Sequence, residues 1–326
     1  MDTQSHRQVP AGKVRKTIAG KIGVVTVLYE SGRVLADFFA SIESQTYKDF
    51  VVYCVDNASS DGSARVCAER GTPYVTIENG RNLGVAAGNN IGIRAAMDAG
   101  CEYVLLLNND VTFGPHMFRQ LLDGLHRHGA DMVTPMIYFS EPPDLVWCAG
   151  GAFRKMAGYR SVHYGYRTPD HGQFDCDRRV EYAPTCCVLV KTELFRTVGL
   201  MDEKYFVYWD DADWMLRAKR AGALLWYASE AKLWHKEGSL TGGKDSDFSI
   251  RYGSRNNAYF LYKNVNRAVA IALRIGYCGY YFLNLLLPQR RKNASLRLRS
   301  WREGLELYRS ASEEDRANNA DAPLTS

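Results

Sequence analysis

Apolar residues fall in short unbroken blocks along the first third of the chain, and between these blocks they recur at every third or fourth position. Ile22 to Leu28 (IGVVTVL) is a continuous, β-branched run, the pattern of a strand buried on both faces of a parallel sheet. Val34, Leu35, Phe38, Phe39 and Ile42 then share one face of a helix. Phe50 to Val55 reads as a second buried strand, and the polar run Asp56 to Ser63 ends it and opens a helix that Ser60 or Asp61 can cap. Tyr74 to Ile77 predicts a third strand, Gly88 to Ala99 a helix, and Tyr103 to Leu107 a fourth strand running into Asn108, Asn109 and Asp110. Strands alternating with helices at this spacing predict an α/β fold, a doubly wound, mostly parallel sheet with helices on both faces. Ligands bind such sheets beyond the carboxyl ends of the strands. Asp56, Asn82 and Asp110 all follow strand ends, so one crevice should collect them.

Past Val146 the pattern loses its period. Residues 146–184 are rich in Gly, Tyr, Arg and His, as expected of a long binding loop or small antiparallel elements. Tyr182 to Lys191 is strand-like again, Thr192 to Val198 helical with Gly199 as its stop, and Asp211 to Gly222 helical with acids first and bases later. Leu224 to Tyr227 and Ala231 to Trp234 predict two short strands before His235. The chain thus divides into a basic tail (1–20), a first half (21–145), a second half (146–262) and a helical carboxy-terminal extension (263–326).

The 326 residues, 46% hydrophobic, suffice for one large or two modest domains with a real core. Eight cysteines form no C-x-x-C pair and sit among apolar neighbours, which predicts buried thiols in a reducing, cytoplasmic setting. The first twenty residues are polar and basic with no central apolar run, so no signal peptide is expected. Charge is uneven: Lys263 to Arg302 holds nine Lys or Arg and no acid. Within it, Ala268 to Leu287 is apolar over a membrane-span length but carries Arg274, Asn284 and two glycines, which favours an interfacial or partly buried helix over a span. With Arg290, Arg291 and Lys292 alongside, segment 268–302 suits peripheral contact with an anionic membrane surface; the alternative is a helix packed on its own domain. Nucleic acid is not an expected partner, and homo-oligomerisation stays open. No G-x-G-x-x-G or G-x-x-x-x-G-K-[ST] occurs, which excludes the usual dinucleotide and P-loop chemistry.

The chemistry points to two acidic places. Asp210, Asp211 and Asp213 lie within four positions, flanked by Trp209 and Trp214. Such carboxylates are costly to desolvate unless a cation, a proton or a substrate hydroxyl compensates them; the competing reading is a solvated helix start. Paired with Asp110 upstream, they suggest metal-assisted group transfer.

Six motifs in order carry a resemblance: D-N-x-S-x-D-G-S from Asp56 to Ser63, R-N-x-G-x-x-x-G-N-N from Arg81, L-L-L-N-N-D-V from Leu105, G-L-M-D-E-x-Y-F from Gly199, W-D-D-A-D-W-x-L-R-A from Trp209 and W-H-K from Trp234. From Ile22 to Arg255 the chain resembles a family 2 glycosyltransferase of the GT-A fold, in the branch of bacterial rhamnosyl- and galactofuranosyltransferases. The resemblance implies inverting transfer of a hexose, rhamnose-like or other, from a dTDP- or UDP-linked donor to a hydroxyl of a cell-surface glycan or lipid-diphosphate-sugar acceptor, at the inner face of the membrane. It implies Mg2+ or Mn2+ on Asp110 and His235, and Asp211 as general base beside Asp210 and Asp213. Donor contacts fall on Leu28, Glu30, Asp56, Arg81, Asn82, Gly88, Asn108 and Asn109, and acceptor contacts on Trp209, Asp213, Arg217 and Cys186. This chain departs from the pattern at Leu28-Tyr29-Glu30 for Thr-Tyr-Asn, at Asn108-Asn109-Asp110 for D-x-D, and at Thr185-Cys186-Cys187 for Gly-Ala-Cys. Two alternatives remain: a nucleotide-sugar or glycan binding module that has lost catalysis, and a nucleotidyltransferase. The latter would want a Gly-rich basic loop where Tyr29 to Arg33 stands.

Overall fold

The computed structural model describes residues 20–236, 238, 243 and 245–320; the basic tail, apart from Gly20, and the last six residues lie outside them. The expected buried runs form parallel strands β1 (Ile22–Leu28), β2 (Phe50–Asp56), β3 (Tyr74–Glu78) and β4 (Tyr103–Leu107) in the order β4-β1-β2-β3, joined by helices α1 (Gly32–Glu43), α2 (Ser63–Ala68) and α3 (Gly84–Asp98). Gly62, not Ser60 or Asp61, is the cap residue of α2, while Asp61 one position earlier accepts from the Ser63 amide at 3.0 Å. Helix α3 starts at Gly84, four residues before the expected Gly88, because Asn82 Oδ1 accepts from the Gly84 amide at 2.9 Å and fixes the first turn.

The second half adds β5 (Val111–Phe113), α4 (Met117–Arg127) and β6 (Met132–Phe139). The aperiodic stretch folds into short antiparallel pieces, β7 (Leu145–Cys148), β8 (Gly151–Arg154), β9 (Arg160–His163), β10 (Thr168–Pro169) and β11 (Arg178–Val180). Strand β12 (Cys187–Lys191) then inserts antiparallel between β4 and β6. It is shorter than the expected Tyr182–Lys191 run, since residues 183–186 turn out of the sheet. Helices α5 (Thr192–Val198) and α6 (Asp210–Arg220) precede β13 (Leu225–His235). The two short strands expected here are one strand, parallel to β6 and irregular between Ala228 and Lys232.

Apolar side chains pack on both faces of the sheet. Leu35, Phe38, Phe39, Phe118 and Leu121 cover one face, and Ile93, Phe195, Trp214 and Tyr205 the other. A third cluster, built on Leu261, Ala270, Tyr281 and Trp301, ties together α7 (Asp247–Asn264), α8 (Arg267–Leu285) and α9 (Pro288–Ala320). All eight cysteines are free, and six of them are buried.

Candidate active site

Strand pairing brings Asp110 and His235 together from opposite halves of the chain. Asp110 immediately precedes β5, and β5 runs antiparallel to the end of β13 with Val111 opposite His235. The Lys236 amide closes the pair on the Asp110 carbonyl at 2.9 Å. Their side chains meet with His235 Nε2 3.3 Å from Asp110 Oδ1, each only 9% exposed. Nδ1 of His235 has no hydrogen-bond partner among the described residues. No group of three or more His, Cys, Asp and Glu converges among the described residues, so this is a two-donor site of one carboxylate and one imidazole.

The strand ends beside it form a polar floor. Leu28 lies opposite Asp56 in the β1–β2 register. Asp56 is 2% exposed; its Oδ2 accepts from the Ser59 amide at 2.9 Å, while Oδ1 is buried with no partner among the described residues. Asn109 donates to the Val27 carbonyl at 2.7 Å and leaves its own Oδ1 buried and unpartnered in the same sense. Asn108 is held by its amide on the Cys186 carbonyl at 2.9 Å. Glu30 accepts from the Ser60 amide at 2.8 Å and so ties the loop after β1 to the loop after β2. Arg81 is exposed in the loop between β3 and α3. Two donor-side expectations change. Leu28 is wholly buried and offers only backbone here. Gly88 lies where α3 crosses β1, and a Cβ there would come within 2.7 Å of Val27, so the glycine is required for helix packing.

The three carboxylates of α6 part ways. Asp213 is fully buried and receives Tyr205 Oη at 3.1 Å, Asn264 Nδ2 at 2.8 Å, Arg217 Nε at 3.0 Å and Lys263 Nζ at 3.0 Å. The rest of the Arg217 guanidinium binds the Val198 and Leu200 carbonyls. Asp213 and Arg217 therefore brace α6 against its surroundings, which corrects their expected catalytic and acceptor roles. Trp209 likewise turns inward, donating to the Gly253 carbonyl at 3.1 Å, and Cys186 is buried, its thiol pushed well up by burial and then by the Asp110 charge.

Asp210 and Asp211 remain at the crevice end of α6. Asp210 is 4% exposed, with Oδ2 unpartnered among the described residues, and burial followed by the Asp211 charge pushes it up to about 8. Asp211 is half-buried. Burial raises it above the usual carboxylate range too, against the opposing pull of Tyr182, whose hydroxyl donates to Oδ2 at 2.5 Å, and of the Ala212 amide on Oδ1 at 2.6 Å.

A wall of rings connects Asp211 to the Asp110–His235 pair. Tyr182 stacks on His163 with centroids 5.7 Å apart, His163 meets Trp147 edge-on at 4.6 Å, and Trp147 meets His235 edge-on at 4.8 Å. None of Tyr182, His163 and Trp147 was among the expected site residues, because they sit in the aperiodic stretch or at its edges, where spacing carries no face information.

The loop leading into α6 is strained. Phe206, Tyr208 and Trp209 all have positive φ, at 65°, 62° and 68°, each costing on the order of 1 kcal/mol or more. It is strapped from two sides. Asn256 of α7 donates to the Tyr205, Val207 and Tyr208 carbonyls at 2.7, 2.6 and 3.0 Å, and the Val85 amide of α3 binds the Phe206 carbonyl at 2.6 Å. A Cβ on Gly84 would lie 2.4 Å from that carbonyl oxygen, so only glycine lets α3 approach.

The sequence model of the glycosyl transferase family 2 matches residues 23–198, over half of the chain. The chain is a family 2 glycosyltransferase. The N-acetylglucosaminyl-diphospho-decaprenol L-rhamnosyltransferase of Mycobacterium tuberculosis is 29% identical to this glycosyltransferase over 238 residues, 67% of this chain and 77% of that protein. The low-salt glycan biosynthesis hexosyltransferase of Haloferax volcanii is 23% identical over 286 residues, 85% of this chain and 89% of that protein. Among solved structures, the mannosyltransferase PcManGT of Pyrobaculum calidifontis in complex with GDP-Man and Mn2+ superposes with a TM-score of 0.53 at 12% identity, covering 90% of this chain and 88% of its own. That likeness shows the shared GT-A fold.

Proposed function

We propose that this family 2 glycosyltransferase moves a hexose, rhamnose-like in the nearest reading, from a dTDP- or UDP-linked donor to a hydroxyl of a glycan or lipid-diphosphate-sugar acceptor, with inversion. The observation that carries the reading is the Asp110–His235 pair, 3.3 Å apart at the strand ends and joined to Asp211 by a continuous ring wall.

The donor set of Asp110 and His235 fits a divalent cation that keeps open positions for diphosphate oxygens. One carboxylate with one imidazole leans toward Mn2+ over Mg2+, which favours oxygen ligands throughout. When bound, such a cation would offset the charge that develops on the departing diphosphate. The protein's own groups account for the rest. Asp56 and Asn109, each with a buried acceptor oxygen and no partner among the described residues, suit the N–H and O–H donors of a base and ribose. Asp211 is the reachable carboxylate and Asp210 the buried one, so Asp211 takes the proton of the acceptor hydroxyl while Asp210 stays protonated beside it. The acceptor oxygen forms a bond to the anomeric carbon from the face opposite the leaving oxygen, the bond from that carbon to the diphosphate breaks, and the nucleoside diphosphate leaves. The half-buried position of Asp211 and the 2.5 Å Tyr182 hydrogen bond that holds it favour this reading over a module without catalysis.

The test is a panel of dTDP-, UDP- and GDP-sugars with the purified full chain, with Mn2+ or with EDTA, read by thermal shift and by anomeric NMR of the product. A preferred donor should raise Tm by mass action only when Mn2+ is present, and the new linkage should have the opposite anomeric configuration to the donor. Retention of configuration, or equal donor binding in EDTA, would overturn the mechanism.

A further inference from the structure

Helix α8 packs one face and leaves the other bare. Ala270, Leu273, Tyr277 and Tyr281 meet α7 and α9 in the third core cluster. On the opposite side Ile275, Phe282, Leu283 and Leu286 are 67%, 60%, 66% and 78% exposed, and Leu287 in the turn to α9 is 47% exposed. Positions 275, 279, 282, 283 and 286 follow helical spacing, so these residues form a single stripe ending at the hairpin tip. Isolated exposed apolar residues are ordinary; a contiguous stripe of bulky ones is not.

The rim of the stripe is cationic. Arg290 and Arg291 follow the tip, Lys292 beside them is paired with Asp247 of α7, and the sequence from Lys263 to Arg302 itself holds no acid. Between α8 and α9, beside the stripe, lies a cavity of about 250 Å3 lined by Tyr280, Asn284, Arg290, Asn293 and Arg297, with no acidic side chain among its described lining. Arg290 Nη1 is set on Asn284 Oδ1 at 3.2 Å, and the Arg297 guanidinium lies 5.9 Å from the Tyr281 ring centre. Two guanidinium groups and the three side-chain amides of Asn284, Gln289 and Asn293 in one cavity match a phosphate.

We infer that the α8–α9 tip docks on an anionic lipid bilayer, with Phe282, Leu283, Leu286 and Leu287 in the acyl boundary and a headgroup phosphate between Arg290 and Arg297. Although α8 is long and apolar enough to cross a bilayer, its packed face on α7 and α9 places it in the interface in this proposal. A second copy of this chain is the poorer occupant, since a two-fold contact would set the same cationic rim against itself. Contacts also tie the tip to the loop that leads into α6. Lys292 at the start of α9 pairs with Asp247 at 3.0 Å, and Ser249, two residues along α7, bonds the Tyr208 hydroxyl at 2.9 Å in the loop that leads to Asp211. Through those contacts docking would brace the loop that leads to Asp211; only a benefit for a lipid-linked acceptor rests on the proposed function.

The experiment is vesicle co-sedimentation of the full chain, with phosphatidylcholine alone and with phosphatidylglycerol added, beside sedimentation velocity and transfer to a water-soluble acceptor. Binding should require phosphatidylglycerol, fall about fivefold for each arginine removed in Arg290→Gln and Arg297→Gln, reflecting roughly 1 kcal/mol per basic residue at such a surface, and fall more than tenfold in the Phe282→Ser, Leu286→Ser double variant. Circular dichroism and transfer to the soluble acceptor should be unchanged in these variants, which separates failed docking from failed catalysis. Vesicle binding unaffected by the double variant would overturn the inference. So would a dimer that the double variant dissolves while vesicles go unbound, or stabilisation by millimolar inorganic phosphate without any vesicle binding.

Discussion

Asp210 and Asp211 are neighbours with the same side chain and opposite surroundings. Asp210 has no donor on its buried oxygen, whereas Asp211 holds the Tyr182 hydroxyl and the Ala212 amide. A carboxyl whose folded pKa exceeds its unfolded value binds its proton more tightly in the native state. Its contribution is full below about pH 4 and is lost as pH rises through the folded value, here about 8. Asp210→Asn should therefore raise stability by about 2 kcal/mol at pH 9 and by little at pH 4, as read from urea unfolding at both values. Asp211→Asn should keep the donor thermal shift and lose about a thousandfold in kcat; undiminished turnover would remove Asp211 from the chemistry. Tyr182 acts through Asp211. Without its hydroxyl the Asp211 charge is held less well, so in Tyr182→Phe the acid limb of kcat/KM should move up by about one pH unit, a displacement that a purely structural role would not cause.

Helix α6 owes its placement to elements that bear none of the chemistry. Its entry loop stays in left-handed backbone because Asn256 takes three carbonyls and Gly84 admits the Phe206 carbonyl. Asn256→Ala would take the side-chain donor from the Val207 and Tyr208 carbonyls, while the Tyr205 carbonyl keeps the Val207 amide and Arg255 Nη2, at a cost of about 2–3 kcal/mol. It should lower kcat at least tenfold with donor affinity near wild type, measurable by calorimetry beside steady-state rates. Little of this was legible beforehand. The strands β1, β2 and β4 were, because a strand buried on both faces is a solid apolar run and its end is marked by the first polar residue, as at Asp56 and Asn108. Asn256 sits inside a helix whose polar and apolar positions give no hint of what the amide reaches. Tyr182, His163 and Trp147 meet only after β7 to β9 fold back on the sheet. The acidic run of α6 drew attention as a group, but sequence could not tell that Asp213 would be enclosed by Arg217, Lys263, Tyr205 and Asn264 while Asp211 stayed open.

Across the molecule, the site is closed by the last strand of the sheet. Asp110 belongs to the first half and His235 to the end of β13, and their meeting depends on the β5–β13 register. His235→Ala should weaken Mn2+-dependent donor binding about tenfold or more while unfolding remains cooperative; unchanged affinity by calorimetry would detach the imidazole from the donor. The order of synthesis adds a consequence. A ribosome that has released residues 20–145 has delivered Asp56, Asn109 and Asp110, yet nothing to complete the proposed cation site, and some ninety more residues must emerge before the imidazole arrives. A nascent chain, or one truncated before β13, would consequently ignore sugar nucleotide. The capacity to draw on that pool would switch on only when β13 has threaded into place.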